Sequence, residues 1–435
     1  MRNRGWPGAG DNQASARNVN VFHCRHPFFQ PTSNVESGPV TASGTLLAPF
    51  RDLVDLFSGC GGTSAGFLST GVYRHLYAAD IDVWANETYF INLGHRPDHR
   101  DLRQLVDSPE LAGWAAALTA RSVAPITLVA CAPCQGFSSH VKTKGDRLDR
   151  NGLLTTIGPI AAELRPQEIL IENVPDVFAI RNWRQFVTLR RDLEAEGYSV
   201  RARIINFAQL GVPQERFRAV ILARLGARPT FPSPTHRWPA DYSTVRAWIG
   251  DLPRVRNAEQ APGDPMHQSS SHRQRTIDII RQVPKDGGNR PVGVGPRCLD
   301  ATRSAHGGYT DVYGRLAWDS PAPTMTARCR TPSCGRFVHP EEDRGLTARE
   351  AALLQTFPPD WVFAGPFDDR FKQAGNAVPP LAASAFAGHI AQGWPRPDVE
   401  IGETEIEDEP IGSSFSVLIP GIRKRRRVAA AANCG

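Results

Sequence analysis

The chain has 435 residues, 41% hydrophobic and 22% charged, enough for two domains or for one large domain carrying a substantial insertion. No stretch approaches the roughly 20 apolar residues that span a bilayer, and Met1-Arg2-Asn3-Arg4-Gly5 leads into no apolar signal core, so a cytoplasmic protein without membrane contact is expected. The net charge is +6, and because the stretch from Asp398 onward holds seven acidic and five basic residues, the remainder carries +8, a balance that favours a polyanionic partner.

Residues 1–48 are rich in Asn, Ser, Gly and Pro without periodicity and read as a disordered leader. From Asp52 apolar runs at Leu53 to Phe57, Leu76 to Ala79, Ile126 to Ala130, Ile169 to Ile171 and Ala219 to Ala223 alternate with helix-like stretches near 63–70, 83–93, 153–164 and 183–196. Such alternation predicts an α/β domain over 49–224, a mostly parallel sheet with helices on both faces. It stops after Arg224. Residues 225–335 are dense in Pro, Gly, His, Ser and Arg, and at about 110 residues they exceed any ordinary loop, which predicts a smaller irregular second domain. Helical periodicity returns within 336–395, at Leu346 to Gln355 and again from Pro379-Pro380, predicting a return to the first domain. Residues 396–435 run acidic and then basic, and read as a charged, disordered tail.

The first candidate site is Asp55-Leu56-Phe57-Ser58-Gly59-Cys60-Gly61-Gly62-Thr63, between the first strand and the first helix. Its glycines allow the backbone to approach a ligand closely. The dinucleotide fingerprint would place a third glycine at 64, where Ser64 stands, so a nucleoside cofactor without a pyrophosphate fits better. Asp80, about twenty residues on at the end of the second strand, is placed to bind ribose hydroxyls, and Asp101 to accept from an adenine amino group.

The second is Cys134, on a Pro-containing turn after the run ending at Ala130, with Glu172 at the end of the run Ile169 to Ile171. Ligands collect at the carboxyl ends of buried parallel strands, so the thiol and the carboxyl are expected to share one crevice. A soft nucleophile beside an acid whose burial favours the proton-donating form suits attack on an electron-poor ring. Arg216 and Arg218, alternating into the strand at Ala219, are candidates for the positive charge a working thiolate requires. Cys131 and Cys134 also form a C-x-x-C, but zinc would need a second close pair and Cys329 and Cys334 are loosely spaced; buried packing is the plain alternative for either cysteine. No metal is expected.

Asp55 to Gly62, Pro133-Cys134-Gln135, Glu172-Asn173-Val174, Gln214-x-Arg216-x-Arg218, Arg349 to Pro358 and Gly375-Asn376-Ala377-Val378 occur in this order. Together they resemble the cytosine-C5 DNA methyltransferases, over roughly residues 50–392 with the irregular region interposed. The resemblance implies a Rossmann-like methyltransferase fold, S-adenosyl-L-methionine as cofactor, double-stranded DNA as partner and a cytosine flipped from the duplex. It implies that Cys134 attacks ring C6, that Glu172 donates a proton at N3, that Arg218 contacts the base O2 and steadies Glu172, and that Arg216 lends charge nearby. Phe57, Gly59, Gly61, Gly62, Asp80, Ile81, Asp101, Asn376 and Val378 match cofactor-contacting positions. Residues 225–335 resemble the target recognition domain, with Thr324-Met325 matching its short Thr-apolar element. The segment from Gln135 to about Arg150, with Ser138, Lys142 and Lys144, resembles the loop that closes on DNA, where the lysines meet phosphates.

These features imply a sequence-specific, nucleoid-associated, monomeric methylase, either an orphan or one working beside a cognate restriction endonuclease. Two other readings stay open. A branch of the family acts on tRNA, but its Cys-Phe-Thr element is missing from 225–335. A DNA-binding regulator without activity would have no need of Cys134, Glu172 and Arg218.

Overall fold

The computed structural model describes residues 50–133, 152–300, 309, 311–419 and 421–422. The expected alternation is present as β1 (Arg51–Leu56), α1 (Gly62–Leu68), β2 (Tyr73–Asp80), α2 (Val83–Leu93), β3 (Asp98–His99), α3 (Leu102–Val106), α4 (Glu110–Arg121), β4 (Ile126–Ala130), α5 (Ile157–Leu164), β5 (Glu168–Asn173) and α6 (Trp183–Ala195). It continues through β6 (Tyr198–Asn206), β7 (Gln214–Glu215) and β8 (Phe217–Leu225). Eight strands form one sheet in the order β10-β6-β8-β5-β4-β1-β2-β3, where β10 is Thr404–Ile406.

The half from β5 to β3 is parallel, as expected. The other half is not: β8 runs antiparallel to both β5 and β6, and β10 antiparallel to β6. The segment between β6 and β8 is too short for a helical crossover, so the chain turns back on itself instead. Along each central strand alternate residues enter opposite layers. Val54, Leu56, Leu128, Ile169 and Ile171 pack with Ile160, Leu164, Phe186 and Leu189 of α5 and α6 on one face. Leu53, Val129 and Leu170 pack with Phe67 of α1 and with Phe386 and Ile390 on the other.

Phe386 and Ile390 belong to α11 (Pro380–Ala391), so the returning segment packs on this face of the sheet. Their helix lies so close to α1 that a Cβ on Gly66 would stand 2.3 Å from the Pro380 carbonyl oxygen and 2.5 Å from the Ala383 Cβ. Before it come α9 (Ala348–Leu354) and α10 (Phe367–Asn376). Thr347 caps α9 by accepting from the Glu350 amide at 3.1 Å, and the Glu350 carboxylate accepts from the Thr347 amide at 2.8 Å. The same buried carboxylate takes both Arg344 guanidinium nitrogens at 2.8 Å, which holds its pKa well below the ordinary carboxylate range despite full burial.

The region 225–335 has little regular structure: α7 (Val245–Ile249), α8 (Gln274–Arg281), the two-residue strand β9 (Ala322–Pro323) and short 3-10 turns. It is nevertheless packed. Val245, Trp248, Met266, Trp318 and Met325 share a core with Leu346, Leu354, Phe357 and Phe371 of the returning segment, and Ile277, Ile280, Val312 and Tyr313 form a second small cluster.

The reading of 396–435 as a disordered tail is corrected for its described part. Arg201 and Arg203 on β6 form ion pairs with Glu400 and Glu405 at 2.7–3.1 Å, and Ile401, Ile406, Phe415 and Ile422 are buried. Glu400 and Glu405, which look like part of a solvated block in the sequence, have arginine partners on the neighbouring strand.

Gly66→Val should lower the unfolding free energy in urea by about 2 kcal/mol or more, because the atom facing the new side chain is a main-chain carbonyl that cannot rotate away. An unchanged midpoint would show that α1 and α11 can separate without cost.

Candidate active site

The loop leaving β1 turns sharply. Phe57, Gly59 and Gly61 have φ of 57°, 52° and 91°, and Gly61 is the residue before α1. At Gly62 a Cβ would meet the Val378 carbonyl oxygen at 2.4 Å, so the loop can pack against the segment entering α11 only as glycine. The Gly59 amide donates to Asp80 Oδ2 and the Asp82 amide to Asp80 Oδ1, both at 2.8 Å. Burial nonetheless raises the Asp80 pKa. Asp82 caps α2 and accepts from Lys372 Nζ at 2.8 Å.

These residues border a cavity of about 260 Å³ at the carboxyl ends of the parallel strands. Phe57, Gly59, Gly62, Asp80, Ile81, Asn376 and Val378 line it, as do Glu172, Arg216 and Arg218. Two expected cofactor residues stand apart from the lining. Gly61 faces Tyr89 and Leu93, and serves the turn. Asp101 caps α3 and is held by Arg103 at 2.8 Å, which keeps its carboxyl below the usual range, so its oxygens are engaged locally.

Ser64, where the dinucleotide pattern would have glycine, donates to the buried Asp55 at 2.6 Å and accepts from the Tyr89 hydroxyl at 2.7 Å. Burial pushes the Asp55 carboxyl up to about 7; the Ser64 hydrogen bond opposes this, and the nearby Asp80 charge adds to it. Nothing in the sequence pattern marked this chain of hydroxyls.

The reacting end is built from the ends of β4 and β5 and the start of β8. Because β8 is antiparallel, its first residues lie beside the last of β5, with Asn173 opposite Ala219 and Glu172 opposite Val220. Arg218 Nε thereby comes within 2.8 Å of Glu172 Oε1. The N–H does not point along that contact, so among the described residues this enclosed oxygen has a charge partner but no hydrogen-bond donor. Asn173 Nδ2 donates to the Ala132 carbonyl at 3.1 Å, tying the end of β5 to the turn after β4. Cys131 on that turn lies 3.6 Å from Thr63 Oγ1, and burial, reinforced by the Glu172 and Asp55 charges, pushes its thiol well above the ordinary range, so it is no candidate thiolate. Pro133 lines the cavity and ends the described segment; Cys134, Gln135, Ser138, Lys142 and Lys144 lie outside the described residues.

Arg216 sits differently from Arg218. It is 1% exposed, and its guanidinium donates to the carbonyls of Met325, Gly375 and Ala377 at 2.9, 3.2 and 2.8 Å. Gln214 donates to Leu354 O and Gln355 Oε1 and accepts from the Met325 amide. Thr324, expected at the DNA, donates to the Glu215 carbonyl at 2.7 Å, beside the pairing of β7 with β9. This buried set joins the entry to β8, the end of the irregular region and the loop after α10 into one unit.

One cavity thus joins a glycine-rich loop and the Asp80 carboxylate to an acid beside an arginine at the adjoining strand ends. The C-5 cytosine-specific DNA methylase model matches residues 51–392, and the chain belongs to that family. It is 36% identical over 345 residues to the Type II methylase M.HgiDII of Herpetosiphon aurantiacus, covering 78% of this chain and 94% of that one. It is 32% identical over 337 residues to the Type II methyltransferase M1.HphI of Haemophilus parahaemolyticus, covering 77% and 85%. Among solved structures it is similar to a prophage-encoded DNA modification methyltransferase of E. coli, with a TM-score of 0.60 at 20% identity over 79% of this chain and 99% of that one. The fold is thus that of the methyltransferases, and the enzyme class is DNA (cytosine-5-)-methyltransferase.

Arg216→Leu should strand three buried carbonyls and lower the unfolding free energy by about 3 kcal/mol. Arg218→Leu should cost less stability and more rate; equal stability losses in urea would contradict the division of labour. Asp55 gives a pH test. Its native carboxyl keeps its proton up to about 7 whereas the unfolded one loses it near 3.8, so the native state binds more protons in that window and stability falls as pH rises through it. Asp55→Asn, which keeps an acceptor for Ser64, should show a smaller decline in urea midpoint between about pH 5 and about pH 8 than the wild type.

Proposed function

We propose that the protein methylates C5 of cytosine at a specific short sequence in double-stranded DNA, acting on a base flipped out of the helix through a covalent Cys134–C6 intermediate. The observation that carries this reading is the single cavity shared by the glycine loop with Asp80 and by the Glu172–Arg218 pair, lined also by Pro133, the residue that precedes Cys134 in the sequence.

S-adenosyl-L-methionine fits the first half of that cavity: a Cβ at Gly62 would foul the backbone, Asp80 suits ribose hydroxyls, and Phe57 and Ile81 offer apolar surface to a purine. When bound, its sulfonium supplies an electrophilic methyl group. Asn376 and Val378 close the same wall from the returning segment. In the second half, Cys134 Sγ bonds to C6 while Glu172 passes a proton to N3, which moves electron density onto C5. Glu172 also accepts from the exocyclic amine, so thymine is rejected. Arg218 holds the Glu172 carboxyl at its working angle and reaches the base O2. Once C5 carries the methyl group, a base takes the C5 proton, Cys134 leaves as the thiolate and N3 returns its proton to Glu172, which restores the ring. Arg216 contributes by fixing the wall that both halves share. Gln135, Ser138, Lys142 and Lys144 serve the DNA backbone, and residues 225–335 read the sequence around the target.

The Type II designation of the relatives favours a modification enzyme whose mark shields DNA from a cognate endonuclease. Host DNA sequenced after bisulfite treatment should show one recurrent methylated motif. Cys134→Ser should abolish transfer of labelled methyl groups to duplex DNA, and Glu172→Gln should reduce it by a factor on the order of 10²–10⁴. Full transfer by the serine variant would overturn the covalent route, and labelling of tRNA in place of DNA would overturn the substrate.

A further inference from the structure

Three cations line the cavity among the described residues, and two of them have work already: Arg216 holds main-chain carbonyls and Arg218 faces Glu172. The third is Lys372, on α10. Gly375 and Asn376 follow it by three and four residues, so all three share the helix face that borders the cavity. Phe371 and Ala374 of the same helix are buried in a core with α9. The helix is held from the irregular region as well: a Cβ on Gly375 would stand 2.1 Å from the Thr326 carbonyl carbon, and Arg330 pairs with Asp368 at 2.8 Å.

The turn Asp80-Ile81-Asp82, which leads from β2 into α2, borders the same cavity. Asp82 Oδ1 accepts from the Trp84 and Ala85 amides at 3.0 and 3.1 Å, and its Oδ2 accepts from Lys372 Nζ at 2.8 Å. The Asp82 amide in turn donates to Asp80 Oδ1, whose other oxygen takes the Gly59 amide. An unbroken path thus runs from α10 through Lys372 and Asp82 to the Asp80 carboxylate and the glycine loop. Burial works against the Asp82 charge, but the Lys372 hydrogen bond and the α2 amides outweigh it and keep the carboxyl below its usual range. The same bond raises the Lys372 pKa, and Asp369 adds a second carboxylate 4.0 Å from the ammonium.

Two further links join α2 to the returning segment, and neither is an ion pair. Asn92 exchanges hydrogen bonds with the main chain of Val362 at 2.8 and 3.0 Å, and the buried Thr88 hydroxyl donates to Gln373 Oε1 at 2.6 Å. The Lys372–Asp82 pair is the link at the cavity, with side chains 44% and 31% exposed. Salt can therefore loosen it while the other two hold.

We propose that Lys372 is a positioning residue for the cofactor: its ion pair with Asp82 draws the turn after β2 against α10 and sets the Asp80 carboxylate at the angle that receives the ribose. The inference rests on the reading of this cavity as the S-adenosyl-L-methionine site. Lys372 acts through Asp82 and needs no contact of its own with the cofactor.

The test measures binding of S-adenosyl-L-methionine and of S-adenosyl-L-homocysteine to the full chain by calorimetry, without DNA. Lys372→Met should raise both dissociation constants by about 2- to 5-fold, the scale of a partly exposed ion pair, and Lys372→Arg should restore them. Asp82→Asn keeps an acceptor for the α2 amides and loses the charge; combined with Lys372→Met it should weaken binding no further than the weaker single variant does. Raising salt from about 0.05 to about 0.5 M should weaken binding by the wild type more than by Lys372→Met, in which the pair is already gone. Unchanged affinity in Lys372→Met, equal salt dependence of the two proteins, or losses that add in the double variant would each overturn this inference and leave the methylase reading intact. Failure of the wild type to bind either compound would overturn both.

Discussion

Strand β8 runs against its two neighbours, and the site follows from that one reversal. A strand that begins where β5 ends delivers its first residues to the crevice, so Arg218 meets Glu172 at 2.8 Å. Had β8 been parallel, the same arginine would lie at the opposite edge of the sheet, about 17–20 Å away for strands of ordinary length. The residues just before β8 profit from the same placement. Gln214 and Arg216 bind the ends of the inserted region and of α10, so the reversal also fastens the irregular region to the sheet. Two arginines separated by one residue thus do unlike work, one bound to three main-chain carbonyls and one facing a carboxylate in the cavity.

The parallel half of the fold is legible in the sequence because its strands are buried on both faces and read as unbroken apolar runs. β6 is not, since Arg201 and Arg203 interrupt Val200, Ala202 and Ile204. Its polar face is covered by Glu400 and Glu405 from more than 190 residues away, a pairing that no local pattern announces. The charged tail was misread for the same reason: an acidic run looks solvated until its partners are known. That the glycine loop, Asp80, Glu172 and Arg218 line one cavity is legible in the sequence because close backbone approach and strand-end position leave a local signature. Asp101 had the right spacing, but helix capping and Arg103 occupy its carboxylate, and spacing alone does not distinguish a cap from a ligand. Arg216 had the right residue type for charge, while its depth beneath Met325 and Ala377 depends on tertiary contacts.

Polar groups buried in this protein are mostly joined into sets. Glu350 serves a helix cap and a two-pronged arginine at once, and Asp55, Ser64 and Tyr89 form a chain from β1 to α2 beneath the cofactor loop. Such sets hold geometry when every member is satisfied, because each alternative leaves a buried donor or acceptor without a partner. Glu172 and Asp55 each keep one enclosed oxygen with no hydrogen bond among the described residues, and at Glu172 the Arg218 charge lies beside it.

The packing of α11 onto α1 couples the two ends of the catalytic domain in time as well as in space. During synthesis the layer that Phe67 forms with Leu53, Val129 and Leu170 lacks part of its cover until Phe386 and Ile390 have emerged, more than 300 residues after Phe67. The cofactor wall at Val378 is finished only at that stage too. A chain that stops before Val378 therefore lacks the wall that the glycine loop packs against, and the cavity closes only when the segment entering α11 has reached α1.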